Sequence, residues 1–174
     1  MKNDERVQAI LEIAIEMIKK HEGFVPVPTP CPAGYPTVGY GHRVVDGEVF
    51  SHVLDEQEAL RLLKFDLLLF YNELLEVLPK IDQMPDTSVA ALLSFVYNIG
   101  MTNFKKSTVL RILRQDNFDP KEVTLELKRW VYYTNKSGQK VQSKGLMNRR
   151  EAEAELFLAG YSLERRIVEK RNRS

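Results

Sequence analysis

Apolar side chains at Val7, Ile10, Leu11, Ala14, Ile15 and Ile18 recur at intervals of three and four, the spacing that gathers side chains on one face of a helix. This predicts an amphipathic helix over residues 4 to 20, ending near Glu22 and Gly23. About twelve residues of proline-rich loop follow, with Pro26, Pro28, Pro30 and Pro32 at every second position. In "TVGYGHRVVDGEVF", β-favouring residues surround Gly39, Gly41 and an Asp46-Gly47 turn, the local signature of a small hairpin.

From residue 55 to 78 the chain reads as one long helix with an acidic start and Pro79 as its stop. At about 36 Å it is long enough to link two lobes. "PDTSVAALLSFVYNIG" is a third helix, apolar on nearly all sides and ended by Gly100; such a helix sits at the centre of a core. Ser107 is placed to cap a fourth, "STVLRILRQ". Asp119, Pro120 and Glu122 have the order of a capping box at the start of a fifth. A polar loop or weak hairpin, "TNKSGQKVQSKG", precedes a last helix, "GLMNRREAEAELFLAG". The pattern therefore predicts an α+β fold, mostly α: a small N-terminal lobe with a β-hairpin (about 1–54), a connecting helix (55–78) and an all-helical C-terminal lobe (80–162). Residues 163–174 read as a basic tail, since "SLERRIVEKRNRS" carries five basic groups against two acidic ones. A cleft between lobes is the default place for chemistry.

Composition narrows the function classes. With 174 residues the chain suits one domain over 1–162 with a substantial core. Lys plus Arg total 25 against 24 Asp plus Glu, a balance that argues against a surface built for nucleic acid. One cysteine excludes an intrachain disulfide, and no Cys/His cluster has zinc-site spacing; neither metal nor cofactor is expected. The N-terminal segment is neither a secretory leader nor a membrane span, so the expectation is a cytosolic product without a membrane anchor.

Three residues in "HEGFVPVPTPCPAGYPTVGYGH" hold candidate chemistry: Glu22 at a helix end, Cys31 among prolines and Thr37 at the start of the hairpin. The negative end of a helix dipole disfavours the charged form of a carboxyl, and a pocket walled by prolines, Phe24 and Tyr35 would add to that. A general acid needs its neutral form. For Cys31 the surrounding proline and glycine argue against deep burial, although a lone cysteine also serves simply as a small apolar residue.

The order Glu22, eight residues, Cys31, five residues, Thr37, followed by "GYGH", resembles the phage-type lysozymes, glycoside hydrolase family 24, in the branch that carries Cys where others carry Asp. The likeness continues through "ALLSFVYNIGMTNFKKSTVLRIL", Lys128-Arg129-Trp130 and "GLMNRREAEAELF", covering roughly residues 10 to 160. It implies a lysozyme-like fold and a muramidase that hydrolyses the β-1,4 bond between N-acetylmuramic acid and N-acetylglucosamine, acting in cell-wall lysis as a phage or prophage endolysin. Glu22 would protonate the leaving oxygen, Thr37 would help hold the attacking water, and Cys31 would be base, water holder or nucleophile. Asn98 would lie on the cleft helix and Arg149 would approach Glu22, both as substrate-binding residues. The partner would be peptidoglycan and not nucleic acid, with the enzyme monomeric, accumulating in the cytoplasm and released by a holin. Lys136, Lys140 and Lys144 with the tail would favour anionic wall polymers. His42 is expected to pair with an acidic residue, and Trp130, Tyr132 and Tyr133 to pack the C-terminal lobe. "FVPVPTP" departs from the family's polar residues before the Cys position. The alternatives are a lytic transglycosylase on the same bond, or a non-catalytic wall-binding or virion domain.

Overall fold

The computed structural model describes residues 2–30, 34–135 and 137–171; Cys31, Lys136 and residues 172–174 lie outside the described residues. Helix α1 (Lys2–His21) buries Ile10, Leu11, Ala14 and Ile18, the face its spacing predicts. It packs on α3 (Asp86–Ile99), and more lightly on α2 (Glu56–Val77) and α7 (Lys144–Arg171). The first helix, grouped by sequence with the small lobe, thus joins the helical core. Arg6 fastens it there, donating to the Asp86 carboxylate at 2.7 Å and to the Met84 carbonyl at 2.8 Å.

The proline-rich stretch expected as a loop is instead strand β1 (Val25–Pro30), paired antiparallel with β2 (Pro36–Gly39), which pairs in turn with β3 (His42–Arg43). The physical reason is position. β1 is an edge strand, where proline's missing N–H costs no ladder bond on the open side, and Val25, Val27 and Thr29 between the prolines favour extended backbone. The Pro26 carbonyl accepts from the Leu54 N–H at 2.9 Å, and register slips between Val25 and Thr29. The β2–β3 hairpin turns at Gly39 to Gly41, with Val38 paired to His42, and Asp46-Gly47 forms a separate turn closed by the Glu48 N–H on the Val45 carbonyl at 3.1 Å.

Asp55 caps α2 through a complete capping box with Glu58. The helix is about 33 Å long and buries Ala59, Leu63, Leu67, Tyr71 and Leu74 along one stripe. Its start meets the small sheet, and its body meets α1, α3 and the 3-10 turn at Pro79–Gln83. Every residue of α3 from Ser88 to Val96 is buried, as expected of a helix apolar all round.

Helices α4 (Met101–Lys105), α5 (Thr108–Leu113) and α6 (Pro120–Leu127) complete the larger lobe. Ser107 caps α5 by accepting from Leu110 N–H. Asp119 caps α6 by accepting from Lys121 N–H at 2.9 Å, while the reciprocal Glu122 bond expected there is found at Asp55 and Glu58 instead. The polar segment forms a hairpin, β4 (Tyr132–Thr134) with β5 (Lys140–Gln142). Trp130 packs edge-on against Phe95 with centroids 5.8 Å apart. Tyr132 and Tyr133, expected to pack the lobe, are exposed, because they stand on this solvent-facing hairpin rather than on a helix. Helix α7 runs on to Arg171, past residue 162 where the sequence reading ended the domain. At Gly160 it lies so close to α3 that a Cβ would sit 2.5 Å from Pro85 Cβ and 2.7 Å from Ser88 Oγ. No helix among the described residues is long and apolar enough to cross a membrane.

Candidate active site

Glu22 follows the last turn of α1, its N–H closing on the Ile18 carbonyl at 2.8 Å. Its side chain is 28% exposed and faces the second turn of α7, where Arg149 is only 3% exposed. Arg149 Nη1 donates to Glu22 Oε1 at 2.5 Å, Nε to Glu153 Oε1 at 3.0 Å and Nη2 to the Ser94 carbonyl at 3.1 Å. Three edges of one planar fork are thereby fixed. Ser94 Oγ donates to the same Glu153 oxygen at 2.7 Å.

Behind this contact Arg150 is fully buried, stacked over the Phe95 ring at 4.8 Å. Its Nη1 lies 2.9 Å from Glu153 Oε2, and Nη2 donates to Asn98 Oδ1 at 2.5 Å. Burial, countered by Glu153 and reinforced by Arg149, brings Arg150 down to about 10, which leaves it charged at neutral pH. Burial likewise pushes Glu153 up, against the pull of both guanidiniums and Ser94. Two cations thus share one buried anion, and each holds one group of the cleft: Arg149 holds Glu22, and Arg150 holds Asn98.

The hollow in front of them, about 400 Å³, is lined by Glu22, Asn98 and Arg149 together with His21, Ser143 and Asn148 among others. Its floor is α3, and its walls are the end of α1 and the start of α7. The hairpin turn closes the arrangement from the small lobe. Gly41 has φ +94°, a left-handed conformation that favours glycine, and a Cβ there would meet Glu22 Cδ at 3.8 Å and Tyr97 at 3.5 Å, ordinary contact distances, so the turn lies against the carboxyl. Tyr97, whose hydroxyl donates to the Tyr40 carbonyl at 3.0 Å, is pushed up by burial and by the Asp66 and Glu22 charges and remains a donor throughout the working pH range.

Of the sequence-predicted residues, the structure brings together Glu22, Asn98 and Arg149. Thr37 stands on β2, its hydroxyl donating to the Thr29 carbonyl at 3.3 Å across the β1–β2 pair, and it does not line this hollow. Cys31 lies outside the described residues. Sequence reasoning missed Glu153, Ser94 and Arg150. The signal was present in α7, where Arg150, Glu153, Ala154 and Phe157 follow the three-four spacing of a buried stripe, so that two charged residues occupy core positions.

His42 has an acidic partner at each ring nitrogen, Asp66 Oδ2 at 2.8 Å from Nδ1 and Glu48 Oε2 at 3.0 Å from Nε2, and so ties β3 to α2. Burial opposes its charge, but the bonds to Asp66 and Glu48 outweigh that and raise it. His21, in the cleft, is lowered by burial and by the Arg149 and Arg150 charges. Titrated by NMR, His42 is expected to ionise above the ordinary value of about 6.5 and His21 below it. The sign for stability follows. The His42 contribution is full below about pH 6.5 and fades as pH rises through its raised value, whereas His21 removes stability as pH falls below about 6.5. A His42 that titrates at or below the ordinary value would contradict the two-carboxylate geometry.

The phage lysozyme family model matches residues 19–153. The endolysin of Bacillus phage B103 is 37% identical over 158 residues, 88% of this chain, which spans 55% of that protein. The SAR-endolysin of Bacteriophage PS119 is 38% identical over 130 residues, 73% of this chain and 70% of that protein. Among solved structures, the muramidase domain of SpmX from Asticaccaulis excentricus superposes with a TM-score of 0.71 at 28% identity, covering 83% of this chain and 94% of that one. With the family model spanning most of its length, across both the hairpin and the buried Arg149–Glu153 cluster, this chain belongs to the phage lysozyme family.

Proposed function

We infer that this protein is a peptidoglycan muramidase, a glycoside hydrolase that cleaves the β-1,4 bond between N-acetylmuramic acid and N-acetylglucosamine during phage lysis of the bacterial wall. The observation that carries this is the half-exposed Glu22 held at the cleft by a single fixed donor, Arg149 Nη1. A carboxylic acid has one oxygen that only accepts and one O–H that donates. Arg149 occupies the accepting oxygen, so in the protonated acid the O–H is on the other oxygen, Oε2. That is the geometry a general acid needs to deliver a proton to a leaving glycosidic oxygen.

Water attacks from the opposite face in an inverting scheme, which requires about 6.5–9.5 Å between acid and base. Thr37 and Cys31 are assigned to that face, Thr37 to hold the water and Cys31 to orient it or take its proton. The spacing of Glu22, Cys31 and Thr37 in the chain supports this assignment. A free thiol near its ordinary value of about 8.5 is only a few per cent thiolate at pH 7, so Cys31 acts chiefly by orientation unless its surroundings favour the anion. Alkylating the thiol is expected to slow hydrolysis by roughly a hundredfold, the low end of what a positioned proton acceptor contributes. Cys31→Asp should keep activity and lose that sensitivity; full activity after alkylation shows a bystander thiol. Monomeric action, accumulation in the cytoplasm and release through a holin complete the proposal.

A further inference from the structure

Asn98 lines the cleft beside Glu22, and its amide can face the substrate in two ways: oxygen outward, as an acceptor, or nitrogen outward, as a donor. Its neighbour decides. An arginine has five N–H donors and no acceptor, so the Asn98 atom 2.5 Å from Arg150 Nη2 is the carbonyl oxygen. Arg150 itself cannot turn away. It is fully buried, its guanidinium lies over the Phe95 ring, and its Nη1 forms an ion pair with Glu153 Oε2 at 2.9 Å without an aligned hydrogen bond. No protein acceptor for Asn98 Nδ2 occurs among the described residues.

We propose that Arg150 is a positioning residue for substrate recognition, locking the Asn98 amide with its Nδ2–H₂ toward the cleft so that the enzyme reads an amide carbonyl of the glycan there. The inference rests on the muramidase reading for its substrate. Peptidoglycan offers amide carbonyls from two sources, the N-acetyl groups of the sugars and the stem peptide. Both are strong acceptors, and a hydroxyl could serve only as a weaker one. Because Arg150 touches no substrate, its effect passes wholly through Asn98, and it works on binding rather than on the proton transfer at Glu22. Glu153 contacts the two arginines through different oxygens, accepting from Arg149 Nε at Oε1 and pairing with Arg150 Nη1 at Oε2.

The test exchanges the amide nitrogen for an oxygen, adding one negative charge to the cleft that also holds Glu22. Asn98→Asp still accepts from Arg150, so its unfolding midpoint should not fall, but the cleft now meets an oxygen where it had a donor. KM on intact peptidoglycan should rise about tenfold, the discrimination a single hydrogen bond supplies, with kcat changing less than KM. The penalty should disappear on de-N-acetylated glycan if the acetamido carbonyl is read, or on amidase-stripped glycan if the stem peptide is. Arg150→Met should raise KM similarly, and Arg150→Lys, which can still donate to Asn98 Oδ1, should restore part of it. Should Arg150→Met fail to fold, the wild-type protein still decides: binding of N-acetylglucosamine tetrasaccharide should shift the Asn98 side-chain amide resonances. A wild-type KM in Asn98→Asp, or no amide shift at saturation, overturns the assignment. A wild type that hydrolyses no peptidoglycan would sink the muramidase reading instead, and the amide shift, compared between wild type and Arg150→Lys, would still test whether Arg150 sets the Asn98 amide.

Discussion

Glu22→Gln is expected to lose cell-wall clearing by roughly 10²–10⁴-fold, the contribution of a positioned general acid, with its fold intact. Glutamine keeps the shape of the side chain, and its carbonyl oxygen can still accept from Arg149 Nη1 as Glu22 Oε1 does. What it lacks is an O–H able to cross to a glycosidic oxygen. Turbidity of a wall suspension measures the loss, and an unfolding midpoint within a few degrees of wild type shows that the loss is chemical. Wild-type clearing by this variant would remove Glu22 as the acid, whereas no clearing by the wild-type protein would favour the non-catalytic wall-binding reading.

Arg149→Met is expected to cost about 3–5 kcal/mol of stability, the range for breaking a buried ion pair from one side. Methionine fills much of the volume, but Glu153, itself fully buried, loses the 3.0 Å bond from Arg149 Nε and keeps only Arg150 and Ser94. For a chain of this size the midpoint should drop by roughly 10 °C. Activity should fall even at temperatures where the variant is folded, because Glu22 loses its fixed donor. Replacing Arg149 and Glu153 together by apolar residues should recover part of the stability without recovering activity, since a buried pair removed whole leaves no uncompensated charge. A loss below about 1 kcal/mol in the single variant would mean that the cluster is wetter than its burial indicates.

Much of this was legible in the chain. The three-four spacing gave α1, the acidic start and Pro79 gave α2, and all-round apolarity gave the largely buried α3, each within a few residues. Ser107 and Asp119 declared their helix starts through side-chain chemistry that is local. Glu22 and Arg149 were candidates before the fold was known, yet what joins them is not local: 127 residues separate the two ends of their 2.5 Å contact. Local rules failed at β1, where three alternating prolines read as loop, since only the three-stranded order shows that the strand lies at an edge. They failed again at Tyr132 and Tyr133, whose aromatic character says nothing about which side of a hairpin they face. Glu153 stayed hidden among Glu151 and Glu155, for its burial is decided by where α7 lies on α3 and not by its own neighbours.

The most direct test of the muramidase assignment is the mass of the muropeptides released from purified wall. Hydrolysis adds one water across the bond and leaves a reducing N-acetylmuramic acid at each new end; that is the expected product for the wild-type protein, absent from Glu22→Gln. Products lighter by one water, with an internal anhydro ring, would contradict it and make the protein a transglycosylase, in which the face assigned to Thr37 and Cys31 has no water to hold.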